Sequence, residues 1–345
     1  MATIIPFTAL RPAPELASRI CELPYDVLST VEARAVAQEN PYSFLHISKP
    51  EIDLEPGLDA HDAAVYAKGA ENFRLLREQG ALVQDAEPHF YLYRQIMGDH
   101  SQVGLVAAAS CAEYDAGIIR KHELTQPAKE TDRVRHLEAL NTQTGPVFLT
   151  YTAQPEIDAL VERTTGTEPG IDFTAADGVQ HASWTIDDGE DIAFIEQQFS
   201  AIETLYIADG HHRSAAASRV CADREGAGSS RQFLTVIFPH DQIQILAYNR
   251  AVLDLNGRDA ADFLSKLENI VEITAGGAGE CVAKNELGLY LEGQWRRLVF
   301  KPDAAATERL DVSLLQSQVL GPLLGIDDPR TDDRLAFIGG IRGTA

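Results

Sequence analysis

Thr204-Leu205-Tyr206-Ile207-Ala208-Asp209-Gly210-His211-His212-Arg213-Ser214-Ala215-Ala216-Ala217 is the stretch that decides the fold class. Residues 204–208 are an apolar run of strand length, whereas Ser214 to Arg224 is Ala-rich and meets no Gly or Pro until Gly226. A buried strand that turns directly into a helix belongs to a mixed α/β architecture. The turn itself carries an acid, a glycine, two imidazoles and a guanidinium. Free amide N–H groups and the positive end of the helix dipole point there at any bound anion. Gly210 permits close backbone approach, and Arg213 offers a fork for phosphate. A His-His pair can also cap a helix or fill a loop, but five polar residues exceed what capping requires. The pentad 209–213 therefore reads as a phosphate-holding turn that by itself names no reaction.

Working outward, Ser29-Thr30-Val31-Glu32 is a capping box that starts a helix ending near Asn40. A second helix is expected from about Asp59 to Gln79, stopped by Gly80. Strands follow around Phe90–Met97 and Gln102–Ala112, then Gly117–Lys121, and Pro127 opens a helix. Beyond Pro146 the pattern predicts strands 147–152, 182–186, 204–208, 232–238 and 243–248. The interleaved helices are 155–163, 190–199, 214–224 and 260–268, followed by a hairpin around 287–300 and a helix 312–323. The Gly/Thr/Ser/Asp/Glu-rich stretches 164–181 and 223–231 read as surface loops. Two regions are expected, an N-terminal α+β region 1–146 and a C-terminal α/β region 147–345 carrying the pentad, the two forming one cleft.

A formal net charge of −23 over 345 residues repels nucleic acid and anionic membranes, so neither is an expected partner. The cysteines at 21, 111, 221 and 281 form no C-x-x-C, which fits a reducing cytoplasm better than a zinc ribbon. No basic, apolar leader or membrane-length apolar run is visible. Within this acidic chain, residues 120–136 hold five Lys or Arg against three Asp or Glu, a local excess of two. Lys121, His122, Glu123, Thr125, Lys129 and Arg133 thus form a second candidate cluster, suited to a small polyanion. Glu123, the one acid at this strand end, suits a general base for a hydroxyl proton. A solvated helix face is the preferred reading for Glu130 and Arg135.

A third stretch, Pro24-Tyr25-Asp26-Val27 with Asn40-Pro41-Tyr42-Ser43-Phe44-Leu45-His46, carries a weaker signal. Ser43, His46 and Glu51 are polar positions beside a core and could line a pocket. There is no P-loop, no G-x-G-x-x-G after a strand, no G-x-S-x-G and no H-E-x-x-H. A His-ligated transition metal is disfavoured, because no partner histidine has ligand spacing. Mg²⁺ held by Asp209 or Glu123 together with substrate oxygens is the better expectation.

Together, Pro24–Val27, Asn40–His46, Lys121-His122-Glu123-Leu124-Thr125, Asp132-Arg133, Asp209–Arg213, Leu310–Leu315 and Phe337-Ile338-Gly339-Gly340 resemble, in order, the motif set of a bacterial family classed as a domain of unknown function. That family is similar to the free-serine kinases of the ParB/sulfiredoxin-like superfamily. The resemblance covers essentially the whole chain. It implies a ParB/sulfiredoxin-like core with additional α+β elements, and phosphorylation of L-serine with pyrophosphate as donor. Relatives use ADP or ATP. It implies Glu123 as base beside His122, and Asp209, Gly210, His211, His212 and Arg213 as the phosphate- and metal-binding turn. Where sulfiredoxin has a cysteine this sequence has His211, so sulfinic-acid repair is not expected. The family pattern continues to a Pro-Pro-Lys-Ser-Thr type segment, whereas this sequence ends Arg342-Gly343-Thr344-Ala345. Either the sequence is cut short there or that segment is dispensable.

The expectation is a cytoplasmic, Mg²⁺-dependent serine kinase, monomeric or homodimeric, with L-serine and pyrophosphate as its ligands. Glu123, His122 and Asp209 would be catalytic. Lys121, Thr125, Lys129, Arg133, Gly210, His211, His212, Arg213, Ser43 and His46 would bind substrate or phosphate. Rival readings are an ATP- or ADP-dependent kinase, which needs an apolar base slot, and a metal-dependent phosphatase. A ParB-like nucleotide switch would require a basic stripe and a helix-turn-helix.

Overall fold

The structure is a computed structural model that describes residues 2–123, 125–276, 283–301, 310–329 and 331–339. Leu124, Cys281, Gly340 and the 341–345 terminus, all named in the sequence reading, lie outside the described residues. The architecture is mixed α/β, as expected. The chain divides into two compact units, 1–243 and 244–345.

The first unit is organised around a nine-stranded mixed sheet, counted among the described residues. Its strands are β1 (Ile4–Ile5), β2 (Phe90–Met97), β3 (His100–Ser110), β4 (Ile119–Arg120), β5 (Val147–Tyr151), β6 (Ile171–Thr174), β7 (Gln180–Ile186), β8 (Leu205–Asp209) and β9 (Gln232–Pro239). The spatial order is β4-β8-β5-β9-β3-β2-β7-β6, and β1 pairs with the far half of β3. The pairs β4–β8 and β5–β9 are parallel; the rest are antiparallel. Period-2 burial explains why β5 is a strand: Val147, Leu149 and Tyr151 are buried, while Phe148 and Thr150 are not fully so. These residues join Phe90, Leu92, Phe199, Phe233 and Ile237 in one core, where each fully buried side chain contributes roughly 1.5–3 kcal/mol.

Helices α1 (Thr30–Ala37), α2 (Ala63–Glu78), α3 (Pro127–Leu140), α4 (Pro155–Thr165), α5 (Gly189–Ala201) and α6 (His211–Asp223) complete the unit, with several shorter helical turns. The Ser29 capping box is present: Ser29 Oγ accepts from the Glu32 amide, and the Glu32 carboxylate accepts from the Ser29 amide. Pro127 and Pro155 occupy the first turns of α3 and α4. Val134 of α3 packs on Ala216 and Val220 of α6.

The expected boundary at 146/147 falls inside this unit. β5, which begins at Val147, is hydrogen-bonded to β8 and β9, and β9 in turn to β3, so residues before and after the boundary share one sheet. The stretch 164–181, read as a loop, contains β6, because Ile171 and Phe173 alternate with Asp172 and Thr174 along β7. β3 ends at Ser110, whose hydroxyl accepts the Glu113 amide and caps a one-turn helix, Cys111–Asp115. Helix α6 begins at His211, three residues before the expected start.

The second unit has its own core of Phe263, Leu267, Leu298, Phe300, Leu314, Leu320 and Ile326. Strands Val271–Ala275, Gln294–Phe300 and Glu286–Leu291 form an antiparallel sheet in that order, the last two being the expected hairpin. The strand expected at 243–248 falls at Tyr248–Val252 and pairs with Leu335–Gly339. The helix expected at 312–323 is a segmented one, Asp311–Leu314 and Gly321–Leu324 flanking a π-helical stretch Leu315–Leu320. No helix among the described residues is long and apolar enough to cross a membrane.

Candidate active site

The pairing of β4 with β8 builds the site. These two strands run parallel, with Ile119 beside Leu205 and Arg120 beside Tyr206. Their C-terminal ends therefore open on the same side, where open α/β sheets hold ligands. The segment after β4 delivers Glu123; the turn after β8 delivers Asp209 to Arg213. A cavity of about 50 Å³ is lined by Tyr25, Asp26, Glu123, Asp209, Gly210, His211, His212 and Arg213.

Gly210 is the N-cap of α6 in a left-handed conformation, φ 95°. The first intrahelical bond runs from the Ser214 amide to the Gly210 carbonyl. The amides of His211, His212 and Arg213 are thus first-turn donors without intrahelical acceptors. The Arg213 guanidinium packs against Gly210: a Cβ there would stand 2.9 Å from Nε. Gly145 clears its other side, with Nη1 3.4 Å from where a Cβ would be. Arg213 Nη2 donates to Asp209 Oδ2 at 2.5 Å, while its Nε is buried without a protein partner. A buried guanidinium N–H left unpaired beside three unpaired amides is an arrangement that an anion satisfies.

The two imidazoles are tied to the 122–126 segment. His211 is buried, and its Nε2 accepts from the His122 amide at 3.5 Å while Nδ1 faces Glu123 Oε2 at 3.6 Å. The His122 ring stands edge-on to that of His211, centroids 4.4 Å apart. His212 Nε2 accepts from the Gln126 amide at 3.1 Å. Burial lowers the pKa of both rings; His122 adds to this at His211, and Lys129 at His212, against the opposing charge of Glu123. Both imidazoles are neutral at pH 7, so positive charge in the site comes from Arg213, the helix amides and the nearby Lys129.

The other expected residues separate into two groups. Lys121 Nζ lies over the Tyr114 ring at 4.0 Å, and Thr125 Oγ1 donates to Glu130 at 2.9 Å. Arg133 donates to Asp132 through Nε and Nη2 and covers the Tyr25 ring at 4.0 Å. None of these three lines the cavity. Ser43 is fully buried, its Oγ donating to Glu22 at 2.5 Å. His46 holds Asp53 at 2.8 Å and donates through Nε2 to the Asn40 carbonyl at 3.1 Å. Glu51 pairs with Lys49 at 3.2 Å. Ser43, His46 and Glu51 therefore fasten the 20–54 corner and do not line the cavity. Tyr25 and Asp26 do line it, although the site residues expected from sequence omitted them. Their only signal was a Pro-Tyr-Asp-Val turn ahead of a capping box.

Among the described residues no three His, Cys, Asp or Glu side chains converge on a preformed metal centre. The cavity nevertheless presents three carboxylates, Asp26, Glu123 and Asp209. Such oxygen donors fit Mg²⁺, which takes one or two carboxylates and completes its shell with water and phosphate oxygens.

The family described as "Protein of unknown function (DUF1015)" matches residues 4–313. No curated protein and no solved structure matches the chain.

Proposed function

The chain belongs to the DUF1015 family, and we propose that it is a phosphotransferase that phosphorylates free L-serine with pyrophosphate. One observation carries this reading: Glu123 and the 209–213 turn, distant in sequence, line one cavity. That cavity joins an anion-binding helix start to a solvent-accessible carboxylate suited to a general base.

In the proposed reaction serine Oγ attacks the terminal phosphorus of pyrophosphate, the bridging P–O bond breaks, and orthophosphate leaves. Glu123 takes the hydroxyl proton. His211, neutral and fixed by the His122 amide, directs Nδ1–H toward Glu123 and orients it. Arg213 and the amides of 211–213 hold the transferring phosphoryl group, whose charge spreads over its outer oxygens. Lys129, near His212, adds positive charge beside the donor. Mg²⁺ held by Asp209, with Asp26 close by, would neutralise pyrophosphate charge when bound.

The lining supports a small polar donor. It contains no aliphatic side chain of the kind that lines a nucleobase slot. The test is parallel incubation of the purified protein with serine, Mg²⁺ and pyrophosphate, ADP or ATP, followed by phosphoserine assay. Pyrophosphate is expected to be the best donor. A tenfold preference for a nucleotide overturns the donor, and no phosphoserine with any of them overturns the kinase reading.

A further inference from the structure

We propose that Arg133 is a positioning residue: anchored on Asp132, it holds the ring of Tyr25 and so sets the cavity wall formed by Tyr25 and Asp26. The proposal deepens the reading above by naming what shapes the cleft.

Residues 21–29 form no helix or strand, and within them the Val27 amide donates to the Pro24 carbonyl at 3.2 Å. Such a segment keeps one geometry only if side chains fasten it. Glu22 is held at its start by the buried Ser43 hydroxyl, and Ser29 at its end by the capping box. Between these ends Tyr25 and Asp26 reach the cavity, and the Tyr25 ring lies under the Arg133 guanidinium at 4.0 Å.

Arg133 is itself fixed. Its Nε and Nη2 both donate to Asp132 Oδ2, at 2.9 and 2.5 Å. Asp132 Oδ1 accepts from Tyr66 Oη at 2.7 Å and from His61 Nδ1 at 3.0 Å. The Arg133 and Asp132 side chains are only 15% and 13% exposed. A guanidinium with one edge on a carboxylate and one face on an aromatic ring is spent on structure. The chain of contacts runs from α2 (Tyr66) through α3 (Asp132 and Arg133) to the cavity wall, and this is why Arg133 does not itself line the cavity.

The test is hydrogen exchange at the Val27 amide, a bonded donor within the loop, read beside pyrophosphate binding by calorimetry. Arg133→Ala and Tyr25→Leu are each expected to speed exchange there tenfold or more and to weaken pyrophosphate binding several-fold, with thermal midpoints near that of the unmodified protein. The double variant should add little to either. Tyr25→Phe, which keeps the ring, should retain slow exchange in the loop. Unchanged loop exchange in Arg133→Ala, or fast exchange in Tyr25→Phe, overturns the proposal. Because exchange needs no turnover, the positioning role survives if serine is not the acceptor, and the kinase reading survives if the loop does not respond.

Discussion

Glu123 Oε2 lies 3.6 Å from Nδ1 of His211, and the other nitrogen of that ring faces the His122 amide. One buried imidazole thus joins the segment leaving β4 to the first turn of α6. It places the exposed carboxylate in the cavity that the first turn of α6 also lines. The contact follows from topology, since it requires β4 and β8 to be parallel neighbours.

Glu123→Gln keeps the shape of the side chain and removes its capacity to take a proton. A positioned base contributes roughly 10²–10⁴-fold to rate, so kcat is expected to fall by that factor with KM for pyrophosphate little changed. The Glu123 side chain is 59% exposed, so the thermal midpoint should hold. Retention of more than half the activity removes Glu123 from its role.

The strand–turn–helix at 204–217 was legible because its signals are local: an apolar run, a glycine, an Ala-rich stretch. The sequence pattern starts α6 three residues late because polar His211, His212 and Arg213 look like turn residues. Their amides need no intrahelical partner, so they occupy a first helical turn without conflict. Tyr25 and Asp26 stayed hidden because what brings them to the cavity is a tertiary contact, Arg133 on the Tyr25 ring. Ser43 and His46 read as pocket residues in the sequence for the converse reason. Buried polar side chains are as often fasteners as ligands, and only their partners Glu22 and Asp53 distinguish the two.

Gly210→Ala tests whether the turn has room for a side chain. The added Cβ meets Arg213 Nε at 2.9 Å and Nη2 at 3.0 Å, at a backbone φ of 95°. Left-handed strain in a residue other than glycine costs on the order of 1–3 kcal/mol. The expected result is a lower thermal midpoint together with weaker pyrophosphate binding as the guanidinium is displaced. Gly145→Ala, whose Cβ meets Arg213 Nη1 at 3.4 Å, should disturb binding more than stability. Equal stability of Gly210→Ala and the unmodified protein contradicts the turn geometry.

Two histidines give stability opposite pH dependences. His136 is buried against the Ile47 carbonyl, to which Nε2 donates at 2.8 Å, and burial with the nearby Arg133 charge pushes its pKa down to about 4. An unfolded histidine titrates near 6.5. The His136 contribution is therefore fully present above pH 6.5 and is lost as pH falls toward 4, a difference of about 3 kcal/mol. The Asp53 hydrogen bond raises the pKa of His46, so its contribution is present below pH 6.5 and lost as pH rises through the raised value. Urea unfolding at pH 4.5, 6 and 7.5 separates them. His136→Gln should flatten the acid limb, and His46→Gln the alkaline one. A gap between His136→Gln and the parent that does not narrow on acidification contradicts the assignment.

Arg213 tests which half of the cleft would hold the proposed donor. Its Nε is buried without a partner, and Nη2 is occupied by Asp209. Phosphate, sulfate or phosphoserine soaked into crystals should therefore place a tetrahedral anion on Nε and the amides of residues 211–213. Arg213→Ala should raise KM for pyrophosphate more than KM for serine. Arg213→Lys should rescue little of this, because an ammonium cannot reproduce the planar fork. Asp209→Asn should weaken the ion pair that pre-sets the guanidinium, and any Mg²⁺ held by Asp209 should bind less tightly. Loss of serine binding with pyrophosphate binding intact in Arg213→Ala would assign the helix start to the amino acid carboxylate. Glu123 would then have to act on a hydroxyl presented from the Asp26 side of the cavity.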